Sequence, residues 1–205
     1  MNLKRRFNCF TQTNLLQLNL VYKKRLHYIR VHIEKCDTTF NKTMKNYIIS
    51  AVSADKKLRR MALEVIERNY AEDELILVGI KENGLVIAQK ISSYLKENYT
   101  GKINLVELVI DKKNPVTVKL SPDTDITGKV VVLIDDVANS GKTMLYALKP
   151  LLDMFPKKIQ TMALVERTHK SFPIDLDYVG LSVSSTLDEH IVVEVENGEV
   201  AGAYI

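Results

Sequence analysis

The sequence predicts an α/β domain whose central, mainly parallel sheet is flanked by helices and covered by a small C-terminal hood. Two apolar runs rich in β-branched residues, 75–80 and 130–134, each lead through a short polar loop into a helical pattern. Such runs are typical of strands buried on both faces of a parallel sheet. Near the C-terminus, Asn197-Gly198 separates two short strand patterns, as expected for a hairpin that contributes to the hood. With 205 residues, 46% of them hydrophobic, the chain is long enough for one such domain.

Residues 1–43 form a basic N-terminal extension that differs in composition from the rest of the chain. Nine Lys or Arg stand against two acidic residues there, a net charge of +7, so residues 44–205 carry −3. The extension can be interpreted as an organelle-type leader, as a basic arm for RNA, or as sequence upstream of a start at Met44. We favour the last interpretation, in which the extension is disordered or outside the native start and the domain spans 44–205.

Both cysteines, Cys9 and Cys36, lie in this extension. They indicate neither a disulfide framework nor a cysteine metal site, which fits a reducing cytoplasm. No run of 18 apolar residues occurs, so we expect no transmembrane helix and no membrane partner. Because the positive charge belongs to the extension, it is poor evidence that the domain binds nucleic acid.

The first helix of the domain is predicted to begin near Ser53 and to end near Asn69. Ser53 or Asp55 is expected to cap its start, since both side chains can accept a hydrogen bond from a backbone N–H group. Its apolar residues recur at helical spacing and give one face for the core: Leu58, Met61, Ala62, Val65 and Ile66.

Two further strands precede the central motif. The run 75–80 is followed by the loop 81–84 and by a helical pattern over 85–98. The run 103–110 also reads as a strand, and the segments 111–115 and 116–120 follow it.

The central motif is KVVVLIDDVANSGKT, residues 129–143. Asp135 and Asp136 follow its strand directly, at the carboxyl end where parallel sheets bind ligands. A helix start offers N–H groups for a phosphate, while paired carboxylates accept hydrogen bonds from a diol or hold Mg²⁺. The motif therefore predicts a site for a phosphorylated ribose. The alternative is a capped helix beside two solvated acids; a Walker A loop is excluded because its first glycine would fall at Asp136.

Beyond this motif, apolar residues continue a helical pattern as far as Phe155. Pro150 lies inside that pattern and is expected to kink or break the helix. Another buried strand is predicted at 159–165, ending near Arg167. The final segment, 191–205, is the hairpin assigned to the hood.

The stretch VVLIDDVANSGKT resembles the phosphoribosyl pyrophosphate (PRPP) signature of type I phosphoribosyltransferases, and so implies that fold. The resemblance implies that Asp135 and Asp136 hold the ribose hydroxyls and, through ribose or water, Mg²⁺ as cofactor. It also implies that the following loop wraps the 5′-phosphate, through Ala138, Asn139, Ser140, Gly141, Lys142 and Thr143. Ala138 departs from the family, and Asn139 replaces an Asp that purine-salvage members use near the base. An amide cannot accept a proton as a carboxylate does, so that acid–base role is absent.

Two other segments have counterparts in the family. GIKENG resembles GIKTRG of the pyrimidine-attenuator branch, which implies that the pyrophosphate is bound by Lys81, Glu82, Asn83 and Gly84. Asn83 stands where that branch has Arg, so Lys81 is the expected cation. A mobile hairpin at 111–120 is implied to close over PRPP, with Lys112 and Lys113 as its catalytic cations in place of Arg.

ALVERTHKSFPIDLDYVG, residues 163–180, resembles the corresponding stretch of pyrimidine operon attenuators that also act as uracil phosphoribosyltransferases. The resemblance implies that Arg167 is catalytic, beside the PRPP at the strand end. It also implies that the nucleobase is held, mainly by backbone groups, at Tyr178, Val179, Gly180 and Leu181.

Three functions follow from these residues as hypotheses. The first is transfer of the phosphoribosyl group from PRPP to a pyrimidine, most strongly uracil, by a cytoplasmic homodimer or higher oligomer. The second is a nucleotide-dependent RNA-binding regulator, although the branch's TRIAHE stretch has become RRMALE, with Arg59 and Leu63 replacing Thr and His. The third is a module that binds PRPP or a nucleotide without turnover, because the closing hairpin lacks Arg.

Overall fold

The computed structural model describes residues 45–110, 118–121, 124–185 and 189–205. The basic extension 1–43 and the lysines Lys112 and Lys113 lie outside the described residues. The described part forms nine strands and three helices. The strands are β1 (Tyr47–Ser50), β2 (Glu74–Ile80), β3 (Lys102–Ile110), β4 (Val118–Ser121), β5 (Val130–Ala138), β6 (Lys158–Arg167), β7 (Tyr178–Val183), β8 (Val192–Glu196) and β9 (Glu199–Tyr204). The helices are α1 (Ala51–Arg68), α2 (Asn83–Asn98) and α3 (Lys142–Leu152).

The large sheet confirms the predicted architecture. Its strand order is β4-β3-β2-β5-β6-β7, and the five strands from β3 to β7 along this order run parallel. Only β4, at one edge, is antiparallel to its neighbour β3. The acidic strand β5 lies inside the sheet between β2 and β6, so its carboxyl end is flanked by the loops that follow both neighbours.

The hood is a separate antiparallel sheet with the order β1-β9-β8. The predicted hairpin is present: β8 and β9 are joined at Asn197 and Gly198, whose φ angles are +52° and +78°. Positive φ at both turn residues is what a two-residue type I′ hairpin turn requires. The third strand, β1, was not predicted from the sequence; it pairs with β9 immediately before α1.

The apolar core lies on both faces of the large sheet. On one face, α1, α2 and the hood pack together through residues such as Leu58, Ile87 and Val193. On the other face, α3 contributes Met144 and Leu151 to a second cluster. The sheet strands are apolar in continuous runs because both faces are covered. Among the described residues, no helix is long and apolar enough to cross a membrane.

Three helix boundaries differ from the prediction. α1 begins at Ala51, and its cap is Ser50, whose hydroxyl accepts a hydrogen bond from the Ser53 N–H group, so neither Ser53 nor Asp55 is the cap. α2 begins at Asn83. α3 continues through Pro150 to Leu152. Proline is tolerated there because the helix ends two residues later, so little of the hydrogen-bonding pattern is lost.

Candidate functional site

A cleft of about 280 Å³ lies at the carboxyl end of β5. Its floor and one wall come from a continuous stretch that includes the acidic pair, the loop after it and the first turn of α3. Its other wall comes from the segment that leads into β8. The cleft is lined by Asp135, Asp136, Val137, Ala138, Asn139, Ser140, Gly141, Lys142, Thr143, Met144, His190, Ile191, Val192 and Val193. The structure thus brings together eight of the residues predicted to hold a phosphorylated ribose.

The two carboxylates are largely buried at the end of β5. Asp135 is 3% exposed and Asp136 is 8% exposed. The Asp136 N–H group donates to Asp135 Oδ1 at 2.9 Å, which fixes one carboxylate against the backbone of the next. Gly84 packs behind them: a Cβ atom there would lie 2.9 Å from the Ile134 carbonyl oxygen and 3.3 Å from Asp135 Oδ1. The first turn of α2 therefore needs glycine to approach the acidic pair.

The loop after β5 turns sharply into α3. Gly141 occupies the N-cap position with φ +80°, and a Cβ atom on it would lie 2.4 Å from Ile174 Cγ2. Ser140 braces the turn, since its hydroxyl accepts from the Lys142 N–H group at 3.3 Å and its carbonyl accepts from Phe172 at 3.0 Å. Because the first turn of α3 lines the cleft, its N–H groups and positive dipole end suit a phosphate.

The second wall of the cleft, His190–Val193, was missed as a functional segment and was predicted only as part of a hairpin. Two amide side chains connect it to the opposite wall. Asn139 Nδ2 donates to the Ile191 carbonyl at 3.3 Å, and Asn83 Nδ2 donates to the Val193 carbonyl at 2.9 Å. The sequence carries only a weak signal for this segment, since it contributes mainly backbone groups and lies about 50 residues beyond the loop it faces.

Tyr178–Leu181, predicted from the resemblance to hold the nucleobase, does not line the cleft. The Tyr178 side chain is fully buried beneath α1, and this burial raises the pKa of its hydroxyl. The carbonyls of Val179 and Gly180 already accept hydrogen bonds from α1, from Arg60 Nη2 at 2.7 Å and from Lys57 Nζ at 3.0 Å. The segment belongs to the edge strand β7, which α1 covers, and its polar backbone groups are used there.

Other predicted residues surround the cleft without lining it. Arg167, at the end of β6, is 6% exposed, and its guanidinium donates to the Glu189 carbonyl just before the hood. Its Nε atom is buried without a partner in the described part of the chain. Lys81 and Glu82 are exposed, and Glu82 adopts a φ of +73°, a strained conformation for a residue with a side chain. Asn83 contacts Asp136 directly, at 2.9 Å from Nδ2 to Oδ2.

The carboxylates of the cleft fit a magnesium ion whose other ligands are water and oxygens of a bound molecule. Within the described ranges, no group of three or more His, Cys, Asp or Glu side chains could hold a metal alone. Asp135 and Asp136 supply two carboxylates. Mg²⁺ is commonly held by one or two carboxylates together with water and substrate phosphate oxygens, so two carboxylates beside a phosphate-binding helix start suffice.

Comparisons with known proteins agree with this geometry. A family model described as "Phosphoribosyl transferase domain" matches residues 50–197. The chain is 34% identical over 163 residues to "Bifunctional protein PyrR" of Thermoanaerobacter sp. (strain X514), covering 75% of this chain and 92% of that protein. It is 35% identical over 153 residues to the "Pyrimidine operon regulatory protein" of Lactococcus lactis subsp. lactis (strain IL1403), covering 72% of this chain and 88% of that protein.

Solved structures share the fold at low sequence identity. A hypoxanthine-guanine phosphoribosyltransferase from Bacillus anthracis superposes with a TM-score of 0.61 at 20% identity, covering 78% of this chain and 98% of that one. A hypoxanthine phosphoribosyltransferase from Trypanosoma cruzi, in a ternary substrate complex, gives a TM-score of 0.63 at 11% identity. The superposition covers 76% of this chain and 93% of that one. At these identities the likeness establishes the fold alone.

Proposed function

Because this chain belongs to the type I phosphoribosyltransferase family, we propose that it transfers the 5-phosphoribosyl group of PRPP to a pyrimidine base. Uracil is the base we propose, and UMP and pyrophosphate are then the products. A pyrimidine rather than a purine is supported by the relative named "Pyrimidine operon regulatory protein". The proposal also includes a homodimer or higher homo-oligomer, which light scattering on the purified protein would test.

One observation carries this proposal: the buried acidic pair and the helix start of α3 face the same cleft. A ribose 5-phosphate could engage both at once, because its phosphate can accept from the N–H groups of Gly141 and Thr143 while its 2′- and 3′-hydroxyls donate to Asp135 and Asp136. In this arrangement we expect C1′ to face the second wall of the cleft, His190–Val193, from which an incoming base would approach.

The reaction then depends on orientation of the two reactants and on stabilisation of charge in the transition state, and it needs no covalent intermediate with the enzyme. N1 of uracil forms a bond to C1′ while the bond from C1′ to the pyrophosphate oxygen breaks, and pyrophosphate leaves with the bonding electron pair. The N1 proton is lost to solvent or to the departing pyrophosphate. As C1′ becomes cation-like, the carboxylates beneath the ribose stabilise the developing positive charge, and holding both reactants in one cleft removes much of the entropic barrier.

The amide of Asn139 is compatible with a nucleobase that loses its ring proton without help from a carboxylate. Its Nδ2 atom is held by the Ile191 carbonyl, and its Oδ1 atom is buried without a partner in the described part of the chain. A ring N–H group of the base would satisfy that acceptor. The N1 proton of uracil is acidic enough to leave without transfer to a carboxylate, so an amide at this position is compatible with the reaction.

Magnesium would be held by Asp135 and Asp136 together with oxygens of PRPP. When bound, it would supply positive charge that neutralises the departing pyrophosphate. The residues of this chain would orient the ribose and phosphate around it.

The direct test is an assay of UMP formation from PRPP and uracil, run beside cytosine, hypoxanthine and guanine. We expect turnover with uracil and a loss of at least about 100-fold in kcat/KM for Asp135→Asn/Asp136→Asn, the scale of losing electrostatic stabilisation. The matched control is Asp153→Asn/Glu67→Gln, which removes two exposed charges away from the cleft. Turnover with a purine alone would overturn the choice of base, and no turnover with any base would overturn the enzyme.

A second candidate is a nucleotide-dependent RNA-binding regulator, favoured by the "Pyrimidine operon regulatory protein" among the relatives. The basic residues of α1 are the candidate contacts, but they are engaged within the domain. Arg59 pairs with Glu97 at 3.3 Å, and Arg60 pairs with Glu64 and donates to Val179. A gel shift with a pyrimidine-operon leader RNA, with and without UMP, separates this candidate from a plain enzyme.

The third candidate, a module that binds PRPP without turnover, rests on the lysines in the predicted closing hairpin. Calorimetry that detects Mg²⁺-dependent PRPP binding, in a protein that forms no product from any base, would select this candidate. Product formation with uracil would exclude it.

A further inference from the structure

We propose that Asn83 and Asn139 are positioning residues that fix the hood over the cleft and, through Asn83, orient the Asp136 carboxylate. Together with the carbonyls of Ile191 and Val193, these two amides are called the hood latch below. This inference rests on the proposed function where it concerns Asp136, whereas the attachment of the hood can be tested without any activity.

The first half of the hood latch is Asn83, the first residue of α2. Its Nδ2 atom lies 2.9 Å from Asp136 Oδ2 and 2.9 Å from the Val193 carbonyl oxygen. An amide nitrogen carries two hydrogens, so one can be donated to each acceptor. Asn83 thereby joins a helix start, a carboxylate of the cleft and a hood strand at a single atom.

The second half is Asn139, which lies in the loop on the opposite side of the acidic pair. Its Nδ2 atom donates to the Ile191 carbonyl, two residues before the carbonyl that Asn83 holds. A carbonyl oxygen can only accept, so the nitrogen of each amide must face the hood, and the orientation of both side chains is chemically determined.

One of the two carbonyls belongs to β8, and the other belongs to the residue just before it. β8 is an edge strand, since the order of the small sheet is β1-β9-β8. Ile191 and Val193 are buried at 3% and 2% exposure, and in an extended chain alternate carbonyls point the same way. An edge strand leaves a row of backbone groups unpaired, and buried backbone groups need partners. The amides of the hood latch supply those partners from the loops around the cleft.

The geometry corrects the predicted role of Asn83 in binding pyrophosphate. With both hydrogens of Nδ2 directed to Asp136 and Val193, the side chain has no donor left for a phosphate. Any pyrophosphate at the loop 81–84 would rely on backbone N–H groups or Lys81 instead. The amide keeps Asp136 from rotating, which preserves the carboxylate orientation that a ribose diol or Mg²⁺ needs.

The test compares Asn83→Ala, Asn83→Asp and Asn139→Ala with Asn98→Asp, an exposed residue at the other end of α2 that serves as the control. Hydrogen exchange of the β8 and β9 amides measures how firmly the hood is attached. Calorimetry measures the Kd for PRPP with Mg²⁺. We expect faster exchange in β8 for all three latch variants, and a rise in Kd of about tenfold for Asn83→Ala, the scale of one hydrogen bond to a charged group.

Asn83→Asp provides a signature that a merely structural role would not produce. Its carboxylate keeps the size of the amide but replaces both N–H donors with acceptor oxygens that face Asp136 and the Val193 carbonyl. We therefore expect the Kd for PRPP to rise more in Asn83→Asp than in Asn83→Ala, because the two like charges would turn Asp136 away from its native orientation, whereas a purely space-filling role would be preserved by the similar shape.

Several results would overturn the hood latch. Unchanged β8 exchange in the three variants would show that the amides do not attach the hood. Unchanged Kd in Asn83→Ala, or a Kd in Asn83→Asp no weaker than that of the wild type, would show that Asn83 does not orient Asp136. If the wild type neither binds PRPP nor turns over a base, the proposed function fails and the orienting role fails with it, whereas the exchange rates still decide how the hood is attached.

Discussion

At position 141 the backbone and its surroundings both demand glycine. The φ angle is +80°, and a Cβ atom would meet Ile174 Cγ2 at 2.4 Å. We expect Gly141→Ala to destabilise the fold by about 2–4 kcal/mol, combining the left-handed backbone cost with overpacking. It should also weaken PRPP binding, because the loop would have to shift.

Gly128 is the matched control for this prediction. Its φ is +68°, but nothing lies within 4 Å of an added Cβ atom. Gly128→Ala should therefore show the backbone cost alone, about 1 kcal/mol in urea unfolding. If both variants lose the same free energy of unfolding, the Ile174 side chain can move away from an added Cβ atom without destabilising the fold.

Residue chemistry explains which parts of the cleft could be predicted. Asp135, Asp136 and the loop 138–143 are contiguous in sequence, and their charge, hydroxyls and glycine indicate a phosphorylated sugar. The wall at His190–Val193 contributes backbone carbonyls, which any residue type can supply, so its role is not visible in the sequence. Tyr178 was assigned to the base by resemblance alone, and its burial beneath α1 depends on tertiary packing.

At the scale of elements, two variants at the start of α1 can show which serine caps the helix. Ser50 accepts a hydrogen bond from the Ser53 N–H group at 3.3 Å, although periodicity favoured Ser53 or Asp55. Ser50→Ala is expected to cost about 1 kcal/mol in the free energy of unfolding, the usual value for a lost N-cap. Ser53→Ala, within the first turn, should change it by less than about 0.5 kcal/mol. Urea unfolding of both variants decides between them, and the reverse order would restore the sequence-based assignment.

The missed strand β1 has a simple cause at the same scale. Tyr47–Ser50 is four residues long, too short for an alternating pattern to be distinguished from a loop. Its strand conformation comes from pairing with β9, more than 150 residues later in the chain. The large sheet was predictable because each of its central strands is an uninterrupted apolar run, whereas edge and hood strands depend on partners that the local sequence does not reveal.

Glu74 forms ion pairs that connect the amino ends of the parallel strands β2, β3 and β5. Its carboxylate lies 3.2 Å from Lys129 Nζ, just before β5, and 3.2 Å from Lys102 Nζ, at the start of β3. The hydrogen bond from Lys129, followed by that from Lys102, lowers the pKa of Glu74 from its ordinary value of 4.5. A lowered pKa means that the native state favours the charged form, so this stabilisation is present above pH 4.5 and is lost as the pH falls through the folded-state pKa.

We therefore expect Glu74→Gln to be less stable than the wild type at pH 7 and to approach it as the pH falls below the folded-state pKa of Glu74, where the carboxyl is protonated in both states. Thermal unfolding across this range measures the difference. Exposed Glu67→Gln is the control, and it should not reproduce the trend. A stability difference that does not vary with pH would show that the lysine contacts do not act through charge.

At the scale of the whole domain, the cleft lies between the large sheet and the hood. The large sheet buries β5 on both faces, so the acidic pair is fixed before any ligand arrives. The opposite wall comes from β8 and the residues just before it, and the buried residues Ile191 and Val193 belong to the same core cluster as α1 and α2. A ligand that spans both walls would therefore stabilise the domain as well as occupy the cleft.

This arrangement predicts a large, Mg²⁺-dependent thermal shift with PRPP. A ligand that binds only the native state at 100 times its Kd adds about 2.7 kcal/mol, which corresponds to a rise of roughly 5–10 °C in Tm for a domain of this size. Asp135→Asn/Asp136→Asn should abolish most of the shift while keeping side-chain volume, whereas Asp153→Asn/Glu67→Gln should retain it. Chelating Mg²⁺ should reduce the shift in the wild type and leave the acidic-pair variant unchanged, because both treatments remove the same interaction. If the acidic-pair variant keeps the full shift, the ligand is bound elsewhere and the carboxylates do not hold the ribose.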